Sequence, residues 1–420
     1  MTSEEICMKK CISFILVATL LFSCVACKKE KVTELSSETT TSSTTEITTT
    51  TEAPTPMGTG FLAGLKEESD NYFINEDPKY AELINVAKGK ADMYGFDGVI
   101  LLATDDEIIL FYGTDGAITI ENEPVDPYTT YDIASCSKTL TAVAVFQLIE
   151  QGKISLDDTL DKYFPEYETG KGITIYNLLH MQSGIPDYCN NPPAFFVKVS
   201  EDDLMPFFLR FMTSQMEDEE EVFLENLYAA PLDFEPGKQY AYSNTNYRLL
   251  AMIVEQVSGT KFCDYISENI FIPCGMEHSS CMVPGDETSV PKDFDDALEL
   301  GLVDEGGRDL GKVWGDGGVH TGAADLLAFD RSLFGGELVS DTSLLEMINF
   351  DKKYGCGLQE YNKKGAFGHS GGIYSYISEN IIIDSEELGR VYFILLSSCR
   401  SGSNSTAFGF IMDGVVDELT

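Results

Sequence analysis

Ser135 and Lys138 begin an apolar segment, and Tyr242, Asn244 and the stretch His369–Gly372 follow it along the chain. A serine hydroxyl attacks an acyl carbon when a neighbouring group accepts its proton. Lysine and tyrosine side chains can each accept that proton, and backbone amides can bind the resulting oxyanion. These residue types, in this order, predict a serine nucleophile that forms an ester on the protein.

Ser135 and Lys138 lie three residues apart, so on a helix their side chains share one face. The first turn of a helix favours a developing negative charge, and apolar burial shifts a lysine towards its neutral, basic form. The alternative interpretation is a helix-capping serine beside a lysine that reaches solvent. The S-x-x-K spacing recurs at Ser258–Lys261, where Gly259 after a predicted helix indicates a solvated turn.

Tyr242 and Asn244 end a loop that precedes a helix predicted over Tyr247–Val257. Such a loop can direct a phenol and an amide at a neighbouring site, and a nearby ammonium group could lower the pKa of the phenol. The alternative role of Asn244 is to cap the helix. A second Y-x-N occurs at Tyr188–Asn190, where no comparable helix follows.

His369, Gly371 and Gly372 introduce a strand predicted over Ile373–Ile383. Glycines allow a substrate to approach the backbone closely, and a strand edge can donate an amide to an oxyanion. The alternative is a glycine-rich turn with a surface histidine. The second H-x-G, at His320–Gly322, precedes a predicted helix and is interpreted as structural.

Secondary-structure patterns predict strands at both ends of the globular region, with helices between them. Two strands joined by a turn are expected over Gly98–Tyr112, and a further strand over Arg390–Ser397. Helices are expected over Ser135–Gly152, Asp325–Phe334 and, at the end of the chain, Phe408–Leu419. This order predicts one sheet assembled from both ends, with a helical region inserted.

The N-terminal residues 1–27 resemble a lipoprotein signal, because Lys9 and Lys10 precede an apolar run from Cys11 to Cys27. Cys24 ends a lipobox-like sequence and is the expected lipid attachment site, with Cys27 as the competing one. The alternative is an uncleaved membrane helix. Residues 28–60 are rich in Thr, Ser and Glu and predict a disordered linker before a catalytic domain over 61–420. The expected location is therefore the outer face of a bacterial cytoplasmic membrane, or free secretion if no lipid is attached.

Charge and cysteine content exclude several classes of protein. The 28 basic and 69 acidic side chains leave a formal charge of −41, which repels phosphate backbones, so nucleic acid is not an expected partner. No C-x-x-C occurs outside Cys24 and Cys27, so zinc and redox spacings are missing and no metal site is expected. The dispersed cysteines predict mostly buried free thiols, although Cys274 and Cys281 could pair.

The segment Tyr131–Ala142 (Y-D-I-A-S-C-S-K-T-L-T-A) resembles the nucleophile motif of the serine β-lactamase and penicillin-binding-protein superfamily, in its class C and esterase-like branch. Further matching segments follow in the family's order: Gly152–Asp158, Ile173–Tyr188, Pro236–Asn244, Gly317–Leu326 and Gly368–Gly372. The resemblance extends from Phe96 to the C-terminus. It implies an α/β fold of the α+β kind, an antiparallel sheet flanked by helices with an inserted, mainly helical subdomain.

The resemblance also implies roles for the residues above. Ser135 would attack the carbonyl carbon, and Lys138 and Tyr242 would manage its proton in an order that is left open. The backbone amides of Ser135 and Gly372 would hold the oxyanion, and Asn244 would orient the acyl amide or the catalytic side chains. No metal ion or organic cofactor is needed. His369 is expected to be catalytic together with Ser135, Lys138 and Tyr242. It stands in the place of the lysine of the K-T-G form, so a fixed positive charge for a β-lactam carboxylate is missing there.

These observations predict a surface-anchored serine hydrolase that acts through an acyl-enzyme. Its expected substrate is a small ester or amide, or a D-amino-acid peptide of peptidoglycan, and β-lactamase activity stays open. The alternative is a catalytically silent relative that binds cell-wall peptides.

Overall fold

The computed structural model describes residues 72–114, 117, 119, 123–212, 216, 218–281, 314–361, 365–373, 376–398 and 402–420. These residues belong to the unit that extends from Met57 to Thr420. The predicted signal 1–27 with Cys24 and Cys27, the predicted linker 28–60 and the predicted domain start at 61 lie outside the described residues. Within the described part of the chain, no helix combines the length and apolar character that a membrane span requires.

Seven strands form one antiparallel sheet in the order β1-β3-β2-β9-β8-β7-β6, and β4 pairs with β5 separately. The strands are β1 Tyr72–Ile74, β2 Val99–Thr104, β3 Ile108–Gly113, β4 Tyr131–Asp132, β5 His320–Thr321, β6 Gln359–Glu360, β7 Ala366–Ile373, β8 Tyr376–Ser385 and β9 Gly389–Ser397. Because β2 pairs with β9, the early and late strands meet in the middle of the sheet. The prediction of one sheet assembled from both ends is confirmed.

Helices cover both faces of this sheet. Val99, Leu101 and Ala103 of β2 belong to one buried apolar cluster, and Ile100 and Leu102 belong to another. Alternate side chains of a strand point to opposite faces, so both faces of β2 are packed. This explains why β2 is a continuous apolar run rather than an alternating one.

The helices fall into a terminal pair and an inserted group. The terminal pair is α1 Ala81–Tyr94 and α12 Gly402–Leu419, which pack against each other beside the second apolar cluster. The inserted α-helices are α2 Ser137–Glu150, α3 Ile175–Leu179, α4 Pro192–Phe195, α5 Leu204–Met212, α6 Glu219–Ala229, α7 Asn244–Ser258, α8 Phe262–Ile266, α9 Ile272–Cys274, α10 Ala323–Phe334 and α11 Asp341–Met347. Helix α2 is apolar on nearly all sides and is buried along most of its length, as expected of a central helix.

The predicted strand over Ile373–Ile383 is wrong at its start. His369, Gly371 and Gly372 lie inside β7, and β8 begins only at Tyr376. Glycine has a low intrinsic preference for strands, so the sequence pattern hides β7. Pairing with β8 supplies the missing stabilisation, because His369 lies opposite Asn380 and Gly372 opposite Ile377.

A buried ion pair ties α7 to α6. Arg248 donates to Glu219 at 2.6 Å, and both side chains are nearly inaccessible to solvent. The Arg248 guanidinium also lies 4.0 Å from the ring centroids of Phe223 and Trp314. A desolvated guanidinium gains from both the carboxylate and the aromatic faces. The pair therefore holds the start of α7 and the segment around Trp314 together.

Replacing Glu219 by Gln should leave the Arg248 charge buried without its partner. Removal of one member of a buried ion pair typically costs about 3–5 kcal/mol of unfolding free energy. Urea unfolding followed by the emission of Trp314, the single tryptophan of the chain, measures that loss. Glu168→Gln is the matched control, because Glu168 pairs with Lys171 at 2.6 Å on an exposed surface. Equal losses in the two variants would contradict the stabilising role of the buried pair.

Candidate active site

Ser135 lies in the 3-10 turn Ala134–Cys136, between β4 and α2. The helix predicted from Ser135 therefore becomes α-helical only at Ser137, directly after this turn. Ala134 has a φ of 46°, a left-handed conformation that costs a non-glycine residue about 1–3 kcal/mol. Its backbone N–H donates to the buried carboxylate of Asp132 at 2.7 Å, which stabilises this conformation. The strained turn leaves the Ser135 side chain only half-buried at the start of a buried helix.

The turn that carries Ser135 is fixed to the neighbouring sheet. The Cys136 thiol donates to the carbonyl of His369 in β7 at 3.0 Å, and the Ser378 hydroxyl donates to the carbonyl of Ile133 at 2.7 Å. A Cβ atom on Gly371 would lie 2.3 Å from the Ile133 oxygen and 3.1 Å from the Ser135 nitrogen. Only glycine fits this close approach of β7 to the nucleophile.

The same approach brings the glycines of β7 next to the backbone amide of Ser135. Gly371 adjoins the amide of Ser135, and Gly372, the next residue of β7, is exposed. Amides on two adjacent backbone segments beside a nucleophile can bind the negative oxygen of a tetrahedral intermediate. The geometry is consistent with the predicted oxyanion-binding role of Ser135 and Gly372.

Lys138 is fully buried and contacts three acceptors with its Nζ atom. Nζ lies 3.0 Å from Ser135 Oγ and 2.8 Å from Asn244 Oδ1, and it also contacts the carbonyl oxygen of Asp316. A neutral amine has two N–H donors and one lone pair. When its two N–H bonds point at the oxygen atoms of Asn244 and Asp316, the lone pair is left for the Ser135 hydroxyl.

Burial makes that neutral amine easier to form. Burial lowers the pKa of Lys138 to about 8, an effect that the charges of Asp316 and Asp187 partly offset. Burial also raises the pKa of Tyr242 well above its usual value of 10. The Tyr242 hydroxyl therefore stays protonated near neutral pH, whereas Lys138 readily loses its proton. Of the two candidates that the sequence left open, Lys138 is therefore the one whose basic form is accessible near neutral pH.

Tyr242 and Asn244 reach the nucleophile from the loop that leads into α7. The Tyr242 hydroxyl donates to Ser135 Oγ at 3.0 Å. Asn244 is the first residue of α7, Ser243 occupies the capping position, and the Asn244 side chain contacts Lys138 and Asp187. The alternative prediction that Asn244 caps the helix is therefore wrong. Residues more than one hundred positions apart in sequence converge on one hydroxyl.

His369 borders this group without contributing a charge. Its Nδ1–H donates to the carbonyl of Ser370 at 2.6 Å, so Nε2 accepts from the Tyr354 hydroxyl at 3.0 Å. Burial lowers the pKa of His369 to about 3, which keeps the ring neutral. The ring centroid lies 6.1 Å from that of Tyr242. The structure thus brings His369 beside Tyr242, with its two nitrogens facing Ser370 and Tyr354.

The second occurrences of the motifs take structural positions. Ser258 accepts from the backbone of Thr260, and the Lys261 side chain is 76% exposed, as expected of a turn. His320 pairs with Asp132 between the two short strands.

The pairing considered for Cys274 and Cys281 is not formed, because both are free thiols. No group of three or more His, Cys, Asp or Glu side chains among the described residues is arranged to hold a metal ion.

Three residues of the site escaped the sequence analysis. Asp316 supplies a carbonyl to Lys138, Asp187 contacts the amide of Asn244, and Tyr354 contacts His369. Asp187 is the next-to-last residue of the matching segment Ile173–Tyr188, and Asp316 precedes the Gly317-Gly318 turn, so their positions beside recognised motifs were a partial signal for both. Tyr354 lies in no recognised motif, and only the tertiary structure identifies it.

The chain is similar to known proteins over most of its length. A family model described as Beta-lactamase matches residues 83–407, more than half of the chain. A protein named putative penicillin-binding protein PbpX of Bacillus subtilis (strain 168) is 26% identical over 319 residues, which cover 74% of this chain and 72% of the relative. Penicillin-binding protein 4* of the same strain is 26% identical over 316 residues, covering 68% of this chain and 65% of its own length.

Solved structures show the same fold. A penicillin-binding protein from Bacillus halodurans aligns with a TM-score of 0.61 at 21% identity, over 79% of this chain and 98% of the other. The D-amino acid amidase from Ochrobactrum anthropi SV3, complexed with L-phenylalanine amide, aligns with a TM-score of 0.60 at 20% identity, over 80% and 99%. The predicted antiparallel sheet flanked by helices is therefore confirmed.

The reactivity of Ser135 should depend on the protonation of Lys138. An amine accepts a proton only when neutral, so the rate of Ser135 labelling by a fluorophosphonate should fall as pH decreases through about 8. Lys138→Arg should remove this dependence and slow labelling by about 10²–10⁴-fold, because a guanidinium stays charged. Stopped labelling reactions between pH 5 and 10 measure the profile. A labelling rate that does not change between pH 6 and 10 would contradict Lys138 as the base.

Proposed function

Because the chain belongs to the beta-lactamase family, we propose that this serine hydrolase cleaves amide or ester bonds of small D-amino-acid derivatives or cell-wall peptides. The reaction passes through an acyl-enzyme on Ser135. The observation that carries the proposal is the position of Ser135 Oγ, 3.0 Å from both Lys138 Nζ and the Tyr242 hydroxyl. Such a hydroxyl has a proton acceptor and a proton donor in hydrogen-bond reach before substrate binds.

Acylation follows from these contacts. Lys138 accepts the Ser135 proton while Oγ bonds to the substrate carbonyl carbon, and the carbonyl oxygen takes up negative charge between the amides of Ser135 and Gly372. When the intermediate collapses, the bond to the leaving group breaks. The leaving nitrogen or oxygen then takes up the proton that Lys138 accepted. This proton is transferred either directly or through the Tyr242 hydroxyl, which gives its own proton to the leaving group and receives one in exchange. Water then attacks the ester by the same steps in reverse and frees Ser135.

Two observations support an uncharged amide or ester as substrate. Structural neighbours include a D-amino acid amidase and a D-stereospecific amidohydrolase from Streptomyces sp., the latter at 24% identity and a TM-score of 0.58. His369 is buried and neutral, so it offers no positive charge to a substrate carboxylate. The carboxylate of a β-lactam, or of a peptide with a free carboxyl group beside His369, would therefore find no positive charge on that residue.

Ser135→Ala should abolish covalent labelling by a fluorophosphonate and hydrolysis of D-amino-acid amides. Ser258→Ala is the matched control, because Ser258 has the same S-x-x-K spacing in a solvated turn and should leave both signals unchanged. Intact-protein mass spectrometry and amide hydrolysis measure the two signals. A panel of D-amides, L-amides, esters and β-lactams should give the highest kcat/KM with D-amides or esters.

A wild-type protein that binds peptidoglycan peptides but never takes a label would support the silent relative instead. Turnover confined to β-lactams would contradict the proposed substrate class while leaving the role of Ser135 intact.

We further propose that the protein is anchored by lipid at the outer face of the membrane through Cys24 or Cys27. The support is the pattern of the leader, in which charged residues precede an apolar run that ends at these cysteines. Expression of the full chain in a bacterium should place the protein in the membrane fraction. Mass analysis of its N-terminal peptide, with Cys24→Ser and Cys27→Ser as matched variants, should locate the lipid. An unmodified product in the culture medium would contradict the anchor.

A further inference from the structure

The orientation of the Asn244 amide decides how Lys138 meets Ser135. The amide oxygen and nitrogen of an asparagine occupy nearly equivalent positions, so hydrogen-bond partners determine which atom points where. Asn244 Oδ1 faces Lys138 Nζ at 2.8 Å. Its Nδ2 faces the carboxylate of Asp187, at 3.2 Å from Oδ1 and 3.1 Å from Oδ2. Asp187 therefore selects the orientation that presents an oxygen to Lys138.

Asp187 is itself held firmly. Its Oδ1 accepts from the backbone N–H of Cys189 at 2.9 Å and of Asn190 at 3.2 Å, and its Oδ2 accepts from Asn190 Nδ2 at 2.7 Å. The side chain is 7% exposed. Each of these partners is an N–H donor, so both carboxylate oxygens act as acceptors. The turn after Asp187 thus fixes a carboxylate against the Asn244 amide.

A reversed amide would impair the base. The NH₂ group of Asn244 would then face Lys138 Nζ, and a neutral amine would offer its lone pair to that donor rather than to Ser135. A protonated amine would meet two donors without an acceptor, which costs the energy of an unsatisfied buried group. In either case, Lys138 could no longer accept the proton of Ser135 efficiently.

We propose that Asp187 is a positioning residue of this hydrolase: by holding the amide nitrogen of Asn244, it keeps the amide oxygen on Lys138 and the lone pair of Lys138 on Ser135. This inference rests on the proposed function of Ser135. It assigns a role to Asp187, which does not itself contact the nucleophile.

Asp187 also belongs to the set of groups whose charge acts on Lys138. The groups that face or influence Lys138 are Asp316, Asp187, Cys189, Cys136, Tyr242, Tyr247 and His369. The carboxylates of Asp316 and Asp187 favour the protonated amine, and burial opposes it. Removing the charge of Asp187 should therefore make Lys138 easier to deprotonate.

Asp187→Asn keeps the size of the side chain and one oxygen for the turn, but it loses the charge and gains an NH₂ group that faces Asn244. Labelling of Ser135 by a fluorophosphonate should slow by about 10²-fold at the optimal pH, a typical cost of misplacing a catalytic group. The pH inflection of the remaining rate should move to lower pH. Asp325→Asn is the matched control, because Asp325 is a buried carboxylate that accepts from His278 and Ser279 elsewhere in the fold. It should shift neither the optimum rate nor the inflection.

A double-mutant comparison tests whether Asp187 acts through Asn244. If it does, Asp187→Asn combined with Asn244→Ala should be no slower than Asn244→Ala alone. Multiplicative losses would overturn the positioning role. An unchanged pH inflection in Asp187→Asn, together with an unchanged rate, would also overturn it.

A readout that needs no turnover separates this inference from the proposed function. In protein labelled with ¹³C-lysine, the Lys138 Cε signal, identified by its loss in Lys138→Arg, should titrate at lower pH in Asp187→Asn than in wild type. A wild-type protein that never takes a label would refute the proposed function, while this titration would still decide whether Asp187 acts on Lys138. The emission of Trp314 checks folding, and Asp187→Ser, which retains an oxygen for the turn, replaces Asp187→Asn if that variant does not fold.

Discussion

The burial of the Lys138 amine is the constraint on which the rest of the site depends. A lysine without access to water is tolerated only when its donors are satisfied and its charge is either paired or given up. Here Asn244 and the Asp316 carbonyl satisfy two donors, and Ser135 lies at the third position. The same desolvation that makes this arrangement costly lowers the pKa of Lys138 to about 8, so that a neutral amine able to accept the proton of a hydroxyl forms close to neutral pH.

Several parts of the fold maintain that arrangement. The 3-10 turn of Ser135 is bonded to β7 and β8, which places one amide of the turn beside the glycines of β7. The ion pair of Arg248 with Glu219 joins α7 to α6 and packs against Trp314, two residues before Asp316. Tyr188 donates from its hydroxyl to the Asp316 carboxylate at 2.7 Å. Each contact limits the movement of a segment that supplies an acceptor to Lys138.

The neutral state of His369 gives this site less positive charge than a lysine at the same position would give. Carboxylates close to the nucleophile are balanced by Lys138 when it is protonated, and His369 adds no further cation. The ring instead links Tyr354 to the backbone of β7, next to the strand residues that border the nucleophile. A histidine at this point therefore links β7 to Tyr354, beside Tyr242, and its neutral ring offers no positive charge to a substrate.

The sequence by itself predicted Ser135 as the nucleophile, with Lys138 and Tyr242 as its partners, and one sheet assembled from both ends. Residue spacing and apolar periodicity act over a few residues and indicate these features without coordinates, whereas the antiparallel sheet between helical layers came from the resemblance to the family. It misplaced β7, because a glycine-rich strand gains its stability from the neighbouring strand rather than from its own residues. It also missed Asp187, Asp316 and Tyr354. Only the tertiary structure decided which atom of the Asn244 amide faces Lys138 and which carboxylate holds that amide, because both depend on contacts between residues far apart in the chain. It also decided which of Lys138 and Tyr242 loses its proton more readily, because that depends on the exclusion of water from a buried amine.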